Sequence, residues 1–264
     1  MLAPIESCAE ARIDARVLSL QVTSKVDREG WVVTEKRFSL QVDGKDIKRG
    51  PCLSFLTVYE GPGGLILNNG LEVLEVTRAG NPEPYHLDHG DGFLTLFCGS
   101  SELELEPGIY QYMIRSRSRG SWKHLGEDSY GAFDITGPFQ HHPIDSLDAR
   151  LEFPENVEAK QFSAALMGHT GTGSGYEAGK DGSELWLKST APLSSNHAVF
   201  MNVVWPSSEF AHRSQWLQIL QQHPRVPLSV FAATVLLVAL MMLIRNALRV
   251  SPRSTPGVSV ASVS

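Results

Sequence analysis

The chain has 264 residues, 42% of them hydrophobic and 20% charged, with a formal net charge of −6. That length buries the core of one medium domain or two small ones, and the mildly acidic balance excludes a whole-protein field for nucleic acid. Three cysteines, Cys8, Cys52 and Cys98, are too few for a disulfide scaffold, and none stands in CxxC spacing. The opening MLAPIESCAEARIDAR has no basic start, and its apolar residues are interrupted by Glu6, Glu10 and Arg12. It is not a signal peptide.

From residue 11 the chain reads as β-structure. Short runs of β-branched and aromatic residues recur every ~8–12 residues between turn residues. RVLSLQVTSKV, the turn DREG and WVVTEKRFSLQV predict a β-hairpin. Within it, Phe38, Leu40 and Val42 alternate with Ser39 and Gln41, as a half-buried strand requires. LEVLEVTR (Leu71 to Arg78) predicts the next strand, followed by FLTLFCG, SELELE and IYQYMIRSRS. LDARLEFP, QFSAALMG, ELWLKST and HAVFMNVVWP complete roughly a dozen strands. Such spacing predicts an antiparallel sandwich. FAHRSQWLQILQQH reads as a juxtamembrane helix, with Trp216, Leu217 and Leu220 on its apolar side.

Val226 to Ile244 is free of charged residues. At 1.5 Å per residue it reaches about 28 Å, enough to cross a hydrocarbon core of about 30 Å as a helix. Pro227 stands in the first turn, where proline is tolerated. Arg245, Arg249 and Arg253 follow the span, against Arg213 and Arg225 before it. The positive-inside rule then places the C-terminus in the cytoplasm and the large domain outside. An exported domain without a leader implies a true start upstream of Met1. The alternative is a cytosolic, tail-anchored adaptor.

Four stretches invite a chemical reading. In YHLDHGDG, His86 and Asp88 share one strand face, His89 takes the other and Asp91 lies in the turn. HxxH spacing gathers zinc ligands on a helix, not on a strand. A metal-dependent hydrolase would use His86 and Asp88 with a distant His141 or His142. Gly168 to Gly182 resembles a phosphate loop, but Ser174 stands where its first glycine belongs and Asp181 follows Lys180. It reads as a flexible loop without the magnesium-binding hydroxyl. RSRSRGSWKH places Arg115, Arg117 and Arg119 on one strand face, with Trp122 beyond. These four residues form the candidate ligand-binding set for an anionic polymer or head group. Glu102, Glu104 and Glu106 are positioned to pair with that stripe across the Pro107-Gly108 turn.

Taken in order, EGWVVTE (Glu29 to Glu35), IKRG (Ile47 to Gly50), EPY (Glu83 to Tyr85), Gly99, LEPGIYQY (Leu105 to Tyr112) and FDITG (Phe133 to Gly137) resemble the domain of unknown function 2207 family of bacterial and archaeal membrane proteins. HPI, LEFP, the glycine loop at Gly168, TAPL and VVWP continue the resemblance from about Arg12 to Pro206. The resemblance implies an exported β-domain followed by a membrane span. It transfers no catalytic residue. Phe133 and Gln140 stand where the family often has tryptophan.

The expected fold is mainly β: an antiparallel β-sandwich followed by a single transmembrane α-helix. The expected divisions are a tail at 1–10, the β-domain at 11–208, a juxtamembrane linker at 209–225, the span at 226–244 and a short disordered basic tail at 245–264. The expected role is non-catalytic binding or scaffolding at the cell envelope, without a cofactor or metal. The expected partners are the lipid bilayer and an envelope protein or anionic polymer, and no nucleic acid.

Overall fold

The computed structural model describes residues 14–60, 66–90, 92–119, 122–137, 142–167, 175–195, 198–209 and Met241. The chain divides into two compact units, 1–212 and 213–264. Of the second, only Met241 is described.

The first unit is mainly β. Its strands are β1 (Arg16–Val26), β2 (Trp31–Val42), β3 (Cys52–Leu56), β4 (Val58–Glu60), β5 (Ile66–Asn68), β6 (Glu72–Arg78), β7 (Asn81–Pro82), β8 (Tyr85–His89) and β9 (Phe93–Cys98). They continue with β10 (Gly108–Arg119), β11 (Trp122–Leu125), β12 (Asp128–Asp134), β13 (Leu147–Glu152), β14 (Gln161–Met167), β15 (Tyr176–Asp181), β16 (Glu184–Ser189) and β17 (Ala198–Pro206). A large sheet runs β15-β16-β13-β1-β2-β10-β6-β7, a second β11-β12-β17-β14 and a third β3-β9-β8, with β4 and β5 paired apart.

The hairpin of β1 and β2 forms where the alternation places it. Asp27 accepts the Glu29 and Trp31 N–H groups on its carboxylate, and Gly30 takes a positive φ of 84° to close the turn. Pairing is antiparallel except for β1 with β13, which run parallel from Leu20 opposite Leu147 to Lys25 opposite Glu152. The chain reaches that edge by a long crossover, as parallel neighbours require. Val17 and Ile144 bridge at its entry. The core gathers Val22, Leu40, Val42, Ile114, Ala149, Leu151 and Leu187 from the large sheet with Met201, Val203 and Trp205 from β17. Phe133, Phe153 and Trp205 form an aromatic cluster with ring centroids 5.6 to 6.4 Å apart.

Two expectations change. SELELE is not a strand: residues 101–106 are a turn and extended loop. Both edges of β10 are already occupied, by β2 and β6, so no ladder is open to it. Leu105 is buried there while Leu103 stays exposed. The glycine-rich stretch from Gly168 to Gly182 is also not one loop. Its last part is the edge strand β15, which turns through Gly182 to pair with β16. The remainder of that stretch, 168–174, lies outside the described residues.

Among the described residues no helix is long and apolar enough to cross a membrane. Apart from Met241, the expected juxtamembrane helix and span lie outside those residues, as does the basic tail.

Candidate ligand-binding cleft

Alternation along β2 puts Val32, Thr34, Lys36, Phe38, Leu40 and Val42 on one face, and all but Thr34 of these are buried. Lys36 thus carries an ammonium in a register otherwise apolar. Its residue is 4% exposed. On the neighbouring strands Lys36 stands opposite Val22 of β1 and Ile114 of β10. One pleat away, Ser24, Thr34 and Ser116 make a row of hydroxyls across the same three strands. The Ser24 and Thr34 hydroxyls are hydrogen-bonded at 2.9 Å.

Above this floor lies a cleft of about 360 Å³. Its other walls are Phe55 and Leu56 of β3, Tyr130, Ala132 and Asp134 of β12, and Phe200 of β17. Volume and lining match a small-molecule site: mostly apolar walls with a few convergent polar groups. The Lys36 Nζ lies 5.4 Å from the centre of the Phe55 ring. Among the described residues it has no ion pair or hydrogen bond. Burial pulls the Lys36 ammonium below its ordinary value, and the charge of Asp134 opposes that shift. Burial likewise pushes Asp134 up, against Lys36 and against the Gly137 N–H that donates to its Oδ1 at 2.8 Å.

The expected arginine set lies elsewhere. Arg115 and Arg117 project from the face of β10 opposite to Ser116 and Ser118. They pair with Glu75 at 3.3 Å and Glu72 at 2.8 Å, both on β6. The glutamates at 102, 104 and 106 are therefore not the partners. Arg117 and Arg119 also stack over the Trp31 ring, 4.7 and 4.0 Å from its centre. Arg119 additionally borders the cleft. Trp122 lies in β11, opposite Gly131 of β12.

His86, Asp88 and His89 lie on β8, paired along β9, and are exposed. His86 stacks on Phe97 at 6.2 Å. Asp91 and His141 lie outside the described residues. His142 borders a second, smaller cavity of about 30 Å³ with Val17, Phe38, Thr136 and Lys36, which also lines the cleft. Among the described residues no three His, Cys, Asp or Glu side chains are grouped to hold a metal ion.

IKRG, EPY, Gly99 and the start of LEPGIYQY converge on one knot of backbone. Gly50 and Gly99 adopt positive φ of 142° and 102°. A Cβ on Gly50 would stand 2.4 Å from the Cys98 carbonyl oxygen, and one on Gly99 1.9 Å from that of Arg49. Gly99 N–H donates to Pro84 at 2.7 Å, and Leu105 N–H to Lys48 at 2.7 Å. Beside them, buried Glu83 accepts from Arg78 Nε at 2.9 Å. The knot joins IKRG, EPY, Gly99 and LEPGIYQY by packing.

Sequence reasoning missed Lys36 and Asp134. The signal for Lys36 was present, since it stands in phase with Phe38, Leu40 and Val42. The signal for Asp134 was not, because which element faces Lys36 is decided by how distant strands pack.

No family model matches the chain. The chain is similar to the uncharacterized protein YciQ of Escherichia coli (strain K12), with 25% identity over 144 residues. The match covers 54% of this chain and 22% of YciQ, so the chain spans less than a quarter of that relative. Among solved structures, native leukotriene A4 hydrolase from Saccharomyces cerevisiae aligns over 76% of this chain and 32% of its own. Its TM-score is 0.45 and its identity 13%. An M1 zinc metallopeptidase from Deinococcus radiodurans aligns over 71% and 42%, with TM-score 0.39 and 12% identity. At these scores neither bears on the chemistry of this chain.

Proposed function

We propose that this chain is a non-catalytic binding domain displayed at the cell envelope and tethered by a membrane helix at 226–244. The reading takes the β-domain as a sandwich whose ligand enters between its sheets. The observation that carries it is the cleft itself: a buried ammonium and a hydroxyl row held under apolar walls, open to a small molecule. The charge-free stretch from Val226 to Ile244 supports the tether. The resemblance to the domain of unknown function 2207 family supports the exported orientation.

Two measurements test the reading. Thermal-shift screening of the full chain against a small-molecule library should find stabilising ligands whose effect disappears in Ala132→Trp, which fills the cleft. Ligands that stabilise both forms equally would remove the cleft from the proposal. Single-cysteine variants in the 168–182 stretch and after Arg253, labelled in intact cells by an impermeant thiol reagent, should react at the first position and not the second. The reverse pattern would place the domain in the cytosol.

A further inference from the structure

We propose that the ligand of this cleft is a small monocarboxylic acid, its carboxylate on the Lys36 ammonium and the adjoining hydroxyls, its apolar body between Phe55 and Phe200. This rests on the reading of the cleft as a binding site and names the chemistry of its occupant.

The Lys36 ammonium is buried without an ion pair or hydrogen bond among the described residues, and the charge of Asp134 acts on it only from farther away. A charge taken out of water is normally paired or hydrogen-bonded, because its lost hydration is otherwise uncompensated. Lys36 is 4% exposed, and among the described residues its Nζ has only the face of Phe55, at 5.4 Å. Asp134 shares the cleft but makes no ion pair with it. The ammonium therefore has donors to spare, and they are available to the cleft rather than spent on the protein.

The second observation is the hydroxyl row. Ser24, Thr34 and Ser116 are aligned across β1, β2 and β10 one pleat from Lys36, with the first two 2.9 Å apart. Hydroxyls donate or accept as the partner requires. Beside a cation they complete the shell of a planar carboxylate, whose two oxygens accept several hydrogen bonds.

Charge selects the valence. Lys36 offers one positive charge, and Asp134 stands on the facing wall with the opposite sign. With Arg119, whose guanidinium stacks on Trp31 at 4.0 Å, the described lining carries two positive charges against that one carboxylate, so a monoanion restores neutrality and a dianion such as phosphate leaves excess negative charge. Size and walls select the body. A volume of about 360 Å³ bordered by Phe55, Leu56 and Phe200 accepts an aliphatic or aromatic acid.

The test uses the full chain in lipid nanodiscs and ligand-observed NMR at neutral pH. The probes are acetate, butyrate, hexanoate and 3-phenylpropionate, each beside its amide, with inorganic phosphate as competitor. Binding should strengthen from acetate to the larger acids. Each larger acid should bind at least ten-fold tighter than its amide. Lys36→Met, which keeps length and apolar volume, should erase the difference between acid and amide. Thr34→Val should narrow it several-fold, and phosphate should compete poorly. A thermal melt confirms that each variant is folded.

Acid and amide binding equally, with both lost in Ala132→Trp, would overturn the carboxylate and leave the cleft as a binding site. Phosphate competing as well as the acids would overturn the selection by charge. Acids binding unchanged in Lys36→Met would overturn the assignment of the ammonium. If no acid binds while neutral library compounds do, only this inference falls. If nothing binds that Ala132→Trp can block, the binding reading falls with it.

Discussion

Lys36 on β2 and Asp134 on β12 each supply the charge that offsets the other's burial. They come from different sheets, so the pair couples two layers of the fold as well as two titrations. Removing one partner leaves the other buried without an opposite charge, which is worse than removing both. Asp134→Asn should cost about 1–2 kcal/mol at pH 7, and Lys36→Met with Asp134→Asn should cost less than the sum of the single changes. Urea melts of the four proteins measure this; a coupling of zero would show that the two groups do not sense each other.

The same pair makes stability depend on pH. Lys36 is lowered in the folded protein, so between its folded value and its ordinary 10.5 the unfolded chain binds more protons. The contribution of Lys36 to stability therefore rises with pH through that window. Asp134 is raised above 3.8, so the folded chain holds the extra proton there, and stability falls as pH rises from 3.8 to its folded value. Asp134→Asn should abolish the acid-side slope and lower the onset of the alkaline one, seen in melts from pH 4 to 10. An unchanged profile would contradict the assignment of both slopes to this pair.

Gly99 permits a backbone crossing that no side chain fits. Its φ is 102°, and a Cβ would stand 1.9 Å from a carbonyl oxygen that belongs to backbone and cannot swing away. Gly99→Ala should destabilise the domain by more than about 3 kcal/mol or prevent its folding. Gly80→Ala is the control: its φ is also positive, at 80°, but nothing lies within 4 Å. It should lose only about 1–2 kcal/mol. Equal losses in the two variants would show that contact at Gly99 is unimportant.

The two described cysteines should differ in reactivity. Burial, with the charge of Glu83 and then Cys52, pushes the Cys98 thiol up to about 12, while Cys52 is exposed. The thiolate is the reactive form. At pH 8, an Ellman-type reagent should modify Cys52 in the folded protein and reach Cys98 only after denaturation, as mass mapping of the labelled peptides would reveal. Rapid labelling of Cys98 in the native state would contradict its burial.

The arginine stripe should prove minor in energy. Arg117 and Glu72 are both well exposed, so screening weakens their attraction. Glu72→Gln should change stability by less than about 1 kcal/mol, and less still at 1 M salt. A loss above 2 kcal/mol, independent of salt, would mean that the Trp31 stack and the ion pairs act as one unit.

Much of the β-structure was legible along the chain, because a strand's period and its turn residues are local properties. The β1–β2 hairpin follows from its alternation and the turn at Asp27 to Gly30. SELELE shows the limit. Its alternation satisfies the same rule, yet β6 holds the edge of β10 that it would need. β15 shows the converse, since glycine-rich residues become a strand where β16 offers an edge. The candidate site was legible only in half. Lys36 breaks the apolar phase of its own strand, but Arg115 and Arg117, which belong to a denser pattern, are paired with glutamates some forty positions earlier.

What the sequence determined by itself is the mainly β character of residues 14–209 and the punctuation between strands. These depend on neighbours two to four positions apart. The tertiary structure decided the parallel pairing of β1 with β13, the crossing at Gly50 and Gly99, the acidic partners of the arginines and the meeting of Lys36 with Asp134. Each brings together residues tens to more than a hundred positions apart. Such contacts depend on which sheet edges and faces remain open once the local strands have formed, and no local period encodes that.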